Sequence, residues 1–409
     1  MLNQIIHGDC FDVLKNIDSS SIDLILTDPP YGLKFMGKDW DHGVPGVQFW
    51  EQALQVAKPG AHLMSFGGTR TFHRLAVAIE DAGWEIRDTL MWVYGSGFPK
   101  SLDVSKGIDK AAGAEREVVG IVKHSASHVI ETFKNNGDYI KTAPATPEAR
   151  QWEGWGTALK PAWEPIILAR KPLIGTIAEN VLKYGTGGIN VDGCRVEMID
   201  REAYEAKQRT FKGATGKAGK ASWKNSSPLN DPETSIENSK LGRWPANLIH
   251  DGSEEVVGLF PYQKSGAKKP HIIKRDKVVV DFNRGLTYCT GHSSSEGSAA
   301  RFFYCAKASR KEKGEGNTHP TVKPLKLMQY LVTLGLPPGG VVLDPFCGSG
   351  TTALACKELG RNYICIEKEL EYYRIACNRL NQPIEHIPDE PIEETEEPVD
   401  NSPLQLALF

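Results

Sequence analysis

Two short apolar runs near opposite ends of the chain each end in an Asp-Pro pair. Residues 22–27 are followed by Asp28-Pro29-Pro30-Tyr31, and residues 341–343 are followed by Asp344-Pro345-Phe346-Cys347-Gly348-Ser349-Gly350. A short apolar run stopped by such a turn is typical of a buried parallel strand with a loop at its carboxyl end. Because ligands of parallel α/β sheets bind at the carboxyl ends of the strands, both loops are predicted to face one site.

Alternating strand and helix patterns surround both loops. The sequence predicts strands over residues 22–27, 61–66, 86–93, 165–169, 341–343 and 363–367, and helices over 49–57, 71–82, 324–334, 350–359 and 369–380. This alternation predicts an α/β fold in which helices cover a mostly parallel sheet. Residues 205–240 and the segment from 385 onward are predicted to be disordered, because they hold too few apolar residues to offset the entropy of ordering.

Charge is distributed unevenly along a chain whose formal net charge is −3. Residues 385–400 contain eight acidic side chains and no Lys or Arg, whereas residues 200–315 contain 21 Lys and Arg against 14 Asp and Glu. A basic middle favours a polyanionic partner such as DNA. Ordinary solvated loops would show the same excess, so charge alone leaves both interpretations open.

The cysteines and the N-terminus argue against several classes of protein. The eight cysteines contain no C-x-x-C pair, which disfavours a zinc ribbon and a disulfide framework. Cys289, His292 and Cys305 form a weak zinc candidate beside the alternative of buried thiols and a loop histidine, and no metal is expected. No apolar run is long enough to cross a bilayer and no signal-peptide pattern is present, so we expect a cytoplasmic, nucleoid-associated protein without a membrane partner.

The first loop carries groups suited to activating an amine on a nucleic-acid base. Such an exocyclic amine is a poor nucleophile, because its lone pair is delocalised into the ring. The Asp28 carboxylate and the backbone carbonyl of Pro29 can accept its N–H bonds, and Pro29 and Pro30 stiffen the loop. Tyr31 offers an aromatic face on which an extruded base can stack. The alternative is a plain strand-ending turn.

The second loop is rich in glycine and leads from a strand into a helix. Gly348 and Gly350 allow a ligand to approach the backbone closely, and the helix N-terminus favours an anionic group. No Lys follows the second Gly, so the loop is not a phosphate-binding P-loop. Glu367 ends the next predicted strand, where an acidic side chain can accept hydrogen bonds from both hydroxyls of a ribose. A dinucleotide site, a plain turn and a surface role for Glu367 remain alternatives.

Together the two loops resemble the motifs of the amino-group DNA methyltransferases. Residues 28–31 match the family's catalytic D/N/S-P-P-Y/F/W motif, and residues 344–350 match its S-adenosylmethionine-binding D-P-F-x-G-x-G motif. The catalytic motif comes first here, which resembles the beta group and its phage, prophage or orphan members. The resemblance implies a Rossmann-like methyltransferase fold, with a seven-stranded, mostly parallel, circularly permuted sheet and an inserted target-recognition region.

The resemblance also implies an organisation in six parts. These are a catalytic half (1–100), an insertion that would contact DNA (101–160), a return strand (161–190), a target-recognition insertion (191–310), a cofactor-binding half (311–382) and a disordered acidic tail (383–409).

Smaller matches extend the implied cofactor site. The segment His7-Gly8-Asp9-Cys10 resembles the one that meets the cofactor adenine, although a simple turn is the alternative. Residues 317–324 resemble the motif over the methionine end, where Thr321 and Lys323 would bind the carboxylate; a helix N-cap at Thr321 is the alternative. The residues that the resemblance assigns to S-adenosylmethionine are Asp9, Cys10, Asp28, His319, Thr321, Lys323, Asp344, Phe346, Gly348, Gly350, Thr351 and Glu367.

The implied reaction is methyl transfer from S-adenosylmethionine to N6 of adenine in DNA after base flipping. Asp28, Pro29, Pro30 and Tyr31 would be the catalytic residues, and residues 92–100 resemble a target-base pocket. Asp at the first motif position favours adenine, whereas N4-cytosine enzymes more often carry Ser; N4-cytosine remains the alternative. A C5-cytosine enzyme would need a Pro-Cys pair, which is absent. Two further classes stay open: a non-catalytic DNA-binding or clamp-tethered module, and an RNA or protein-glutamine methyltransferase.

Further predictions concern contacts with DNA and the oligomeric state. Candidates for phosphate contacts with double-stranded DNA are Lys264, Lys268, Lys269, Lys274, Arg275 and Lys277. Most of the tryptophans in or beside the insertions are expected to pack rather than to wedge bases: Trp152, Trp155, Trp163, Trp223 and Trp244. A homodimer is a further expectation.

Residues 405–409 resemble the Q-L-x-L-F peptide by which bacterial proteins dock on the replication sliding clamp. The residues that would contact the clamp are Gln405, Leu406, Leu408 and Phe409, behind an acidic tether. An apolar segment tucked onto the domain is the alternative.

Overall fold

The computed structural model describes residues 2–32, 43–97, 101–123, 138–198, 241–265, 271–273, 287–289, 295–306, 317–319 and 322–384. Several predictions lie outside these residues: the disorder of 205–240 and of the tail, Thr321, His292, the peptide 405–409, Trp223 and the side chains of the basic cluster from Lys264 to Lys277. They stay predictions.

The described residues form fifteen strands and ten α-helices. The strands are β1 (Gln4–His7), β2 (Ile22–Thr27), β3 (Ala57–Phe66), β4 (Glu85–Val93), β5 (Val118–Lys123), β6 (Asp138–Thr142), β7 (Trp163–Arg170), β8 (Leu248–His250), β9 (Tyr262–Ser265), β10 (His271–Ile273), β11 (Thr287–Cys289), β12 (Ser295–Ser298), β13 (Tyr304–Cys305), β14 (Val341–Asp344) and β15 (Asn362–Glu367). The helices are α1 (Cys10–Leu14), α2 (Val47–Val56), α3 (Phe72–Asp81), α4 (Val104–Ala111), α5 (Pro147–Gln151), α6 (Ile177–Tyr184), α7 (Glu254–Val257), α8 (Leu325–Gly335), α9 (Thr351–Glu358) and α10 (Leu370–Leu380).

One sheet of nine strands runs through the molecule in the order β1-β15-β14-β2-β3-β7-β4-β8-β13. Within it only β7 is antiparallel to its neighbours, so the prediction of a mostly parallel sheet is confirmed. The C-terminal strands β15 and β14 lie between the N-terminal strands, because β1 pairs with β15 and β2 pairs with β14. The two predicted loops therefore leave adjacent strands at the same edge.

The predicted count of seven strands was too low by two. The additional strands, β8 and β13, come from the second insertion and extend the sheet beyond β4, with Met91 opposite Leu248 and Val93 opposite His250. An open edge strand exposes unpaired backbone groups, and a parallel partner satisfies them. Short strands of this kind carry too few residues to show a pattern in sequence.

The strand β3 begins earlier than predicted. Lys58-Pro59-Gly60 was expected to separate a helix from a strand at residue 61, but β3 already begins at Ala57. Ala57 pairs with Ile22 before an irregularity at which β3 has more residues than β2, and the Lys58 ammonium lies 2.6 Å from the Asp23 carboxylate. These contacts hold the segment in the sheet although a Pro and a Gly would normally interrupt it.

Two apolar layers cover the two faces of the sheet. One contains Leu24 and Leu26 of β2 with residues of α8, α9 and α10, and the other contains Ile22 and Ile25 with residues of α1, α2 and α3. Alternation along β2 therefore supplies both layers, which explains why all six of its residues are buried. The sheet is fixed from both sides, so the loops at its carboxyl edge start from rigid positions.

Asp109 organises the described part of the first insertion, which contains α4, β5, β6 and α5. Its buried carboxylate lies 2.6 Å from Arg116 Nη1 and accepts the backbone N–H groups of Ala145 and Thr146 at 3.0 Å. Burial alone would raise the pKa of Asp109, but these hydrogen bonds and the Arg116 charge lower it to about 2.

Three of the tryptophans that were expected to pack rather than to wedge bases have exposed rings. The exposed fractions are 40% for Trp152, 59% for Trp155 and 65% for Trp244. Trp152 and Trp155 contact each other edge to face, and Arg195 lies over the Trp244 ring. Indole rings can pair with one another or with a guanidinium at the surface, which the sequence did not reveal.

The described ranges contain neither a membrane-spanning helix nor a cluster of metal-binding side chains. No helix there combines the length and hydropathy that crossing a bilayer requires. No group of His, Cys, Asp or Glu side chains in those same ranges could hold a metal ion. Cys305, one of the three zinc candidates, is exposed.

Candidate active site

A cavity of about 700 Å³ opens at the carboxyl ends of β2, β14 and β15. Both predicted loops line it, together with the turn after β1 and the segment before α8. The sequence-predicted residues on its wall are Asp9, Cys10, Asp28, Pro29, Pro30, Tyr31, His319, Lys323, Asp344, Phe346, Gly348, Thr351 and Glu367. The prediction that the two ends of the chain share one site is therefore confirmed.

The Asp28-Pro29-Pro30-Tyr31 loop is held by hydrogen bonds at its aromatic end. The Tyr31 hydroxyl donates to Asp28 Oδ1 at 2.7 Å, and the Thr71 hydroxyl donates to the Tyr31 carbonyl at 2.7 Å. Gly68 faces the Tyr31 ring so closely that a Cβ there would lie 3.1 Å from it. A side chain at this position would have to displace the Tyr31 ring slightly from the end of β3.

Lys323, which the resemblance assigns to the cofactor carboxylate, lies on the cavity wall beside Asp28 and Glu164. Its ammonium lies 2.6 Å from Asp28 Oδ2 and 3.2 Å from Glu164 Oε2, and it also reaches the Tyr31 hydroxyl at 3.3 Å. The ring of Phe66 lies beneath it, 4.9 Å from the ammonium to the ring centre. Lys323 thus contacts the loop of residues 28–31, and its assignment to the cofactor carboxylate stays a prediction.

Burial and charge act in opposite directions on Lys323. Burial alone would lower the pKa of its ammonium, but Asp28 and Glu164 raise that pKa above its ordinary value. The pKa of the Tyr31 hydroxyl is also raised, first by burial and then by the same two carboxylates. Lys323 therefore remains a cation and Tyr31 a neutral donor.

Glu164 and Tyr94 also belong to this cluster: Glu164 was not predicted, whereas Tyr94 lies in residues 92–100, which resemble a target-base pocket. Glu164 Oε1 accepts a hydrogen bond from the Tyr94 hydroxyl at 3.3 Å, and its Oε2 lies 3.1 Å from the Tyr31 hydroxyl. The only signal in the sequence was position: Glu164 directly precedes the predicted strand at 165–169. The start of a strand lies at the binding edge only if that strand is antiparallel, which β7 is.

The glycine-rich loop is organised by two buried carboxylates. Glu367 Oε2 accepts the Gly348 backbone N–H at 2.6 Å, and Oε1 accepts that of Glu369 at 2.8 Å. Asp344 Oδ1 accepts the Thr27 hydroxyl at 2.8 Å, and the Thr352 hydroxyl donates to Oδ2. Burial raises the pKa of Glu367 to about 7 and that of Asp344 to about 6, despite hydrogen bonds that lower both.

The two glycines of this loop differ in what they contact. Gly348 has a φ of 55°, and a Cβ there would lie 2.9 Å from His319 Nε2, so the loop packs directly under that ring. Gly350, with a φ of 82°, lies behind the cavity, where a Cβ would meet Ala376 at 3.0 Å. Gly350 was predicted to bind the cofactor, but it permits the turn and the packing of α9 on α10 instead.

Asp9 sits at the N-terminus of α1 on the far wall of the cavity. Its Oδ1 accepts the Phe11 backbone N–H at 2.9 Å, and its Oδ2 lies 3.1 Å from the Lys368 ammonium. The side chain thus serves as a helix cap, as the simple-turn alternative required, and also faces the cavity.

The cavity fits S-adenosylmethionine in size and in chemistry. Its volume is within the range of cofactor pockets. Each Glu367 oxygen accepts one backbone N–H and keeps a second lone pair, so the carboxylate can still receive two ribose hydroxyls. Phe346 and Tyr372 add aromatic surface, and Asp9 adds an acceptor.

A model of the DNA methylase family of N6 and N4 methyltransferases matches residues 22–378, which include both loops and most of the chain. The chain belongs to this family. It is a methyltransferase that acts on DNA, and the methylase builds its cavity from the two motifs that carried the resemblance.

Individual relatives of this methylase are distant. The type II methyltransferase M.HindIII of Haemophilus influenzae is 25% identical over 426 residues, covering 93% of this chain and 96% of the relative. M2.DpnII of Streptococcus pneumoniae is 36% identical over 86 residues, which are 21% of this chain and 32% of the relative.

Solved structures also resemble the methylase at low scores. The cytosine-N4-specific PvuII DNA methyltransferase is 13% identical, with a TM-score of 0.41, over 94% of this chain and 87% of that one. A complex of M1.HpyAVI with SAM is 18% identical, with a TM-score of 0.39, over 92% and 98% of the chains. Likenesses this weak carry no argument about the base or the cofactor.

Proposed function

We propose that this methylase transfers a methyl group from S-adenosylmethionine to N6 of adenine in DNA, on a base rotated out of the duplex. The observation that carries the proposal is the shared cavity, in which Asp28 of one loop and Glu367 beside the other line the same wall. A flipped base and the cofactor can meet there without a change in the sheet.

The residues of the chain supply orientation and acceptors in this proposal. Asp28 and the carbonyl of Pro29 accept the N–H bonds of the amine, while Tyr31 borders the base. S-adenosylmethionine supplies, when bound, a methyl group on a positively charged sulfur. With S-adenosylmethionine held by Glu367 and the glycine-rich loop, its methyl group would pass to the amine nitrogen as the carbon–sulfur bond breaks, and the Asp28 carboxylate would accept the proton that the methylated amine sheds. No covalent link to the protein forms.

Adenine is favoured over cytosine by the first residue of the catalytic motif. Asp at position 28 is more typical of N6-adenine enzymes than of N4-cytosine enzymes, which more often carry Ser. Transfer to N4 of cytosine is the second candidate and uses the same acceptors.

The decisive experiment is methylation-aware sequencing of DNA from cells that express the methylase. We expect N6-methyladenine at one sequence context, with none in cells that express Asp28→Ala. S-adenosylmethionine binding, measured by calorimetry, should persist in Asp28→Ala because Glu367 and the glycine loop remain. Asp81→Ala, which removes an exposed carboxylate on α3, is the matched control and should methylate normally. N4-methylcytosine would refute the base assignment, and an active Asp28→Ala would refute the site.

We further propose that the insertion lysines contact DNA phosphates and that Gln405-Leu406-Ala407-Leu408-Phe409 binds the sliding clamp. The sequence alone supports both, since the peptide and the lysine side chains lie outside the described residues. The full chain should bind purified clamp in a pull-down, and a 1–404 truncation should not. Equal binding by the two chains would refute the clamp site. A homodimer stays a prediction for light scattering to test.

A further inference from the structure

Glu164 faces the cavity beside Asp28, and the reaction proposed above gives it no role. Its Oε2 lies 3.2 Å from the Lys323 ammonium and 3.1 Å from the Tyr31 hydroxyl, and its Oε1 accepts the Tyr94 hydroxyl at 3.3 Å. It reaches this position because β7 is antiparallel, with Glu164 opposite Trp92 near the end of β4. A carboxylate with three donors around it is built into the site.

Asp28 already contacts two donors, and Glu164 lies close enough to accept both of them instead. Asp28 Oδ1 accepts the Tyr31 hydroxyl at 2.7 Å and Oδ2 lies 2.6 Å from the Lys323 ammonium, so each oxygen keeps one lone pair for an arriving amine but is a weaker acceptor, because both donors draw on its charge. The phenol has a single proton and can serve only one carboxylate at a time. Glu164 is within hydrogen-bond distance of both donors and offers them a second acceptor.

The charge of Lys323 also weakens Asp28 as an acceptor for the amine. The Lys323 ammonium offsets the Asp28 carboxylate, yet methyl transfer places positive charge on the amine nitrogen and needs negative potential there. Lys323 is buried, with an exposed side-chain fraction of 8%, and cannot turn out to solvent without leaving both carboxylates. Glu164 supplies the second carboxylate, so that the cluster keeps one net negative charge.

We propose that Glu164 is a positioning residue that receives the Tyr31 hydroxyl and shares Lys323 when the target amine reaches Asp28, which keeps the pocket negative during methyl transfer. The inference rests on the proposed role of Asp28. It assigns to the start of β7 a function that neither loop motif contains.

The first test is Glu164→Gln, which keeps the size and one oxygen acceptor of the side chain but removes its charge. With tritiated S-adenosylmethionine and whole-genome-amplified DNA, which carries no methyl groups, we expect kcat to fall roughly 100-fold, the usual cost of losing one electrostatic stabiliser. The KM for S-adenosylmethionine should stay within about threefold, because a loss confined to the transition state lowers kcat without changing ground-state binding. An unchanged kcat would overturn the proposal.

A charge rescue separates this role from a merely structural one. In Glu164→Gln/Lys323→Met the cation that offsets Asp28 is gone, so kcat should recover by roughly tenfold over Glu164→Gln alone. A purely structural residue predicts that the double variant is no better than the single one, and that result would overturn the proposal. Glu85→Gln is the matched control. Glu85 of β4 is a carboxylate in an ion pair, 2.7 Å from Arg170 of β7, but it is not among the residues that line the cavity.

A second variant decides the question if Glu164→Gln does not fold, as judged by loss of S-adenosylmethionine binding. Glu164→Asp keeps the charge, so its kcat should stay within about tenfold of wild type. A larger loss would overturn the role of charge. Inactivity of the wild-type methylase on this DNA would instead refute the proposed function, so the two failures are distinguishable.

Discussion

The Lys323 ammonium lies 2.6 Å from the Asp28 carboxylate, although 295 residues of chain separate the two. The contact exists because β2 and β14 are neighbours in the sheet and Lys323 precedes α8, which packs on β2. It joins the predicted catalytic half (1–100) of the methylase to the predicted cofactor-binding half (311–382). This contact could not be predicted from the sequence, because the two residues lie far apart in the chain. Asp28 was assigned to the amine of the base and Lys323 to the cofactor carboxylate.

Lys323→Met should therefore affect catalysis more than cofactor binding. Without the cation, the Asp28 and Glu164 carboxylates lie close together with no counter-ion between them, and their repulsion disturbs the acceptors that hold the amine. The kcat should therefore fall, and single-turnover methyl transfer measures this.

The same variant tests where Lys323 acts. Its dissociation constant for S-adenosylmethionine should change by less than about threefold, whereas a lysine that bound the cofactor carboxylate would give a loss of tenfold or more. Lys326→Met, three residues further along on α8, serves as the control and should leave both measurements unchanged. A large loss of cofactor affinity with an unchanged kcat would support the predicted role of Lys323 at the cofactor carboxylate.

The sequence predicted the parts of the site that local patterns determine. Asp28 and Glu367 follow or end strands whose apolar runs are unambiguous, and glycines mark the turn between β14 and α9. Those features depend on neighbouring residues alone, so they could be located without a structure.

The parts that the sequence did not predict depend on pairing between distant strands. Glu164 is functional only because β7 runs against its neighbours, and no local pattern reports the direction of a strand. The short strands β8 and β13 were missed for a related reason, since their pairing with β4 and with each other rests on tertiary contacts rather than on periodicity.

Glu367 should make cofactor binding depend on pH near neutrality. Burial raises the pKa of its carboxyl to about 7, and ribose hydroxyls donate best to the charged form. S-adenosylmethionine should bind about tenfold more tightly at pH 8 than at pH 6. Glu367→Gln should weaken binding and remove this dependence, whereas Glu358→Gln, an exposed residue of α9, should retain it. A wild-type affinity that is flat from pH 6 to pH 8 would contradict the assignment.

The stability of the free methylase should follow the opposite trend. A carboxyl whose folded pKa lies above its unfolded value of about 4.3 stabilises the native state fully below that value. The contribution is lost as the pH rises through about 7. The melting temperature without cofactor should therefore decline over this window by more in the wild type than in Glu367→Gln.

Asp109 should control the order of the first insertion without affecting the cavity. Asp109→Asn removes the charge that Arg116 pairs with, and it weakens the acceptors for the backbone amides of Ala145 and Thr146. Hydrogen exchange at pH 7 should lose protection at those two amides, while the affinity for S-adenosylmethionine stays unchanged. Glu115→Gln, at an exposed neighbouring position, is the control and should exchange like the wild type.

The pH dependence of the same unit gives an independent check on Asp109. Its folded pKa of about 2 lies below the unfolded value of about 3.9, so its stabilisation is complete above the unfolded value and is lost as the pH falls toward 2. Limited proteolysis by pepsin should cut the wild-type insertion only as the pH falls into that window. Asp109→Asn should already be cut at pH 5, because it has no charge left to lose. Equal resistance of the two proteins at pH 5 would show that Asp109 does not hold α4, β5, β6 and α5 together.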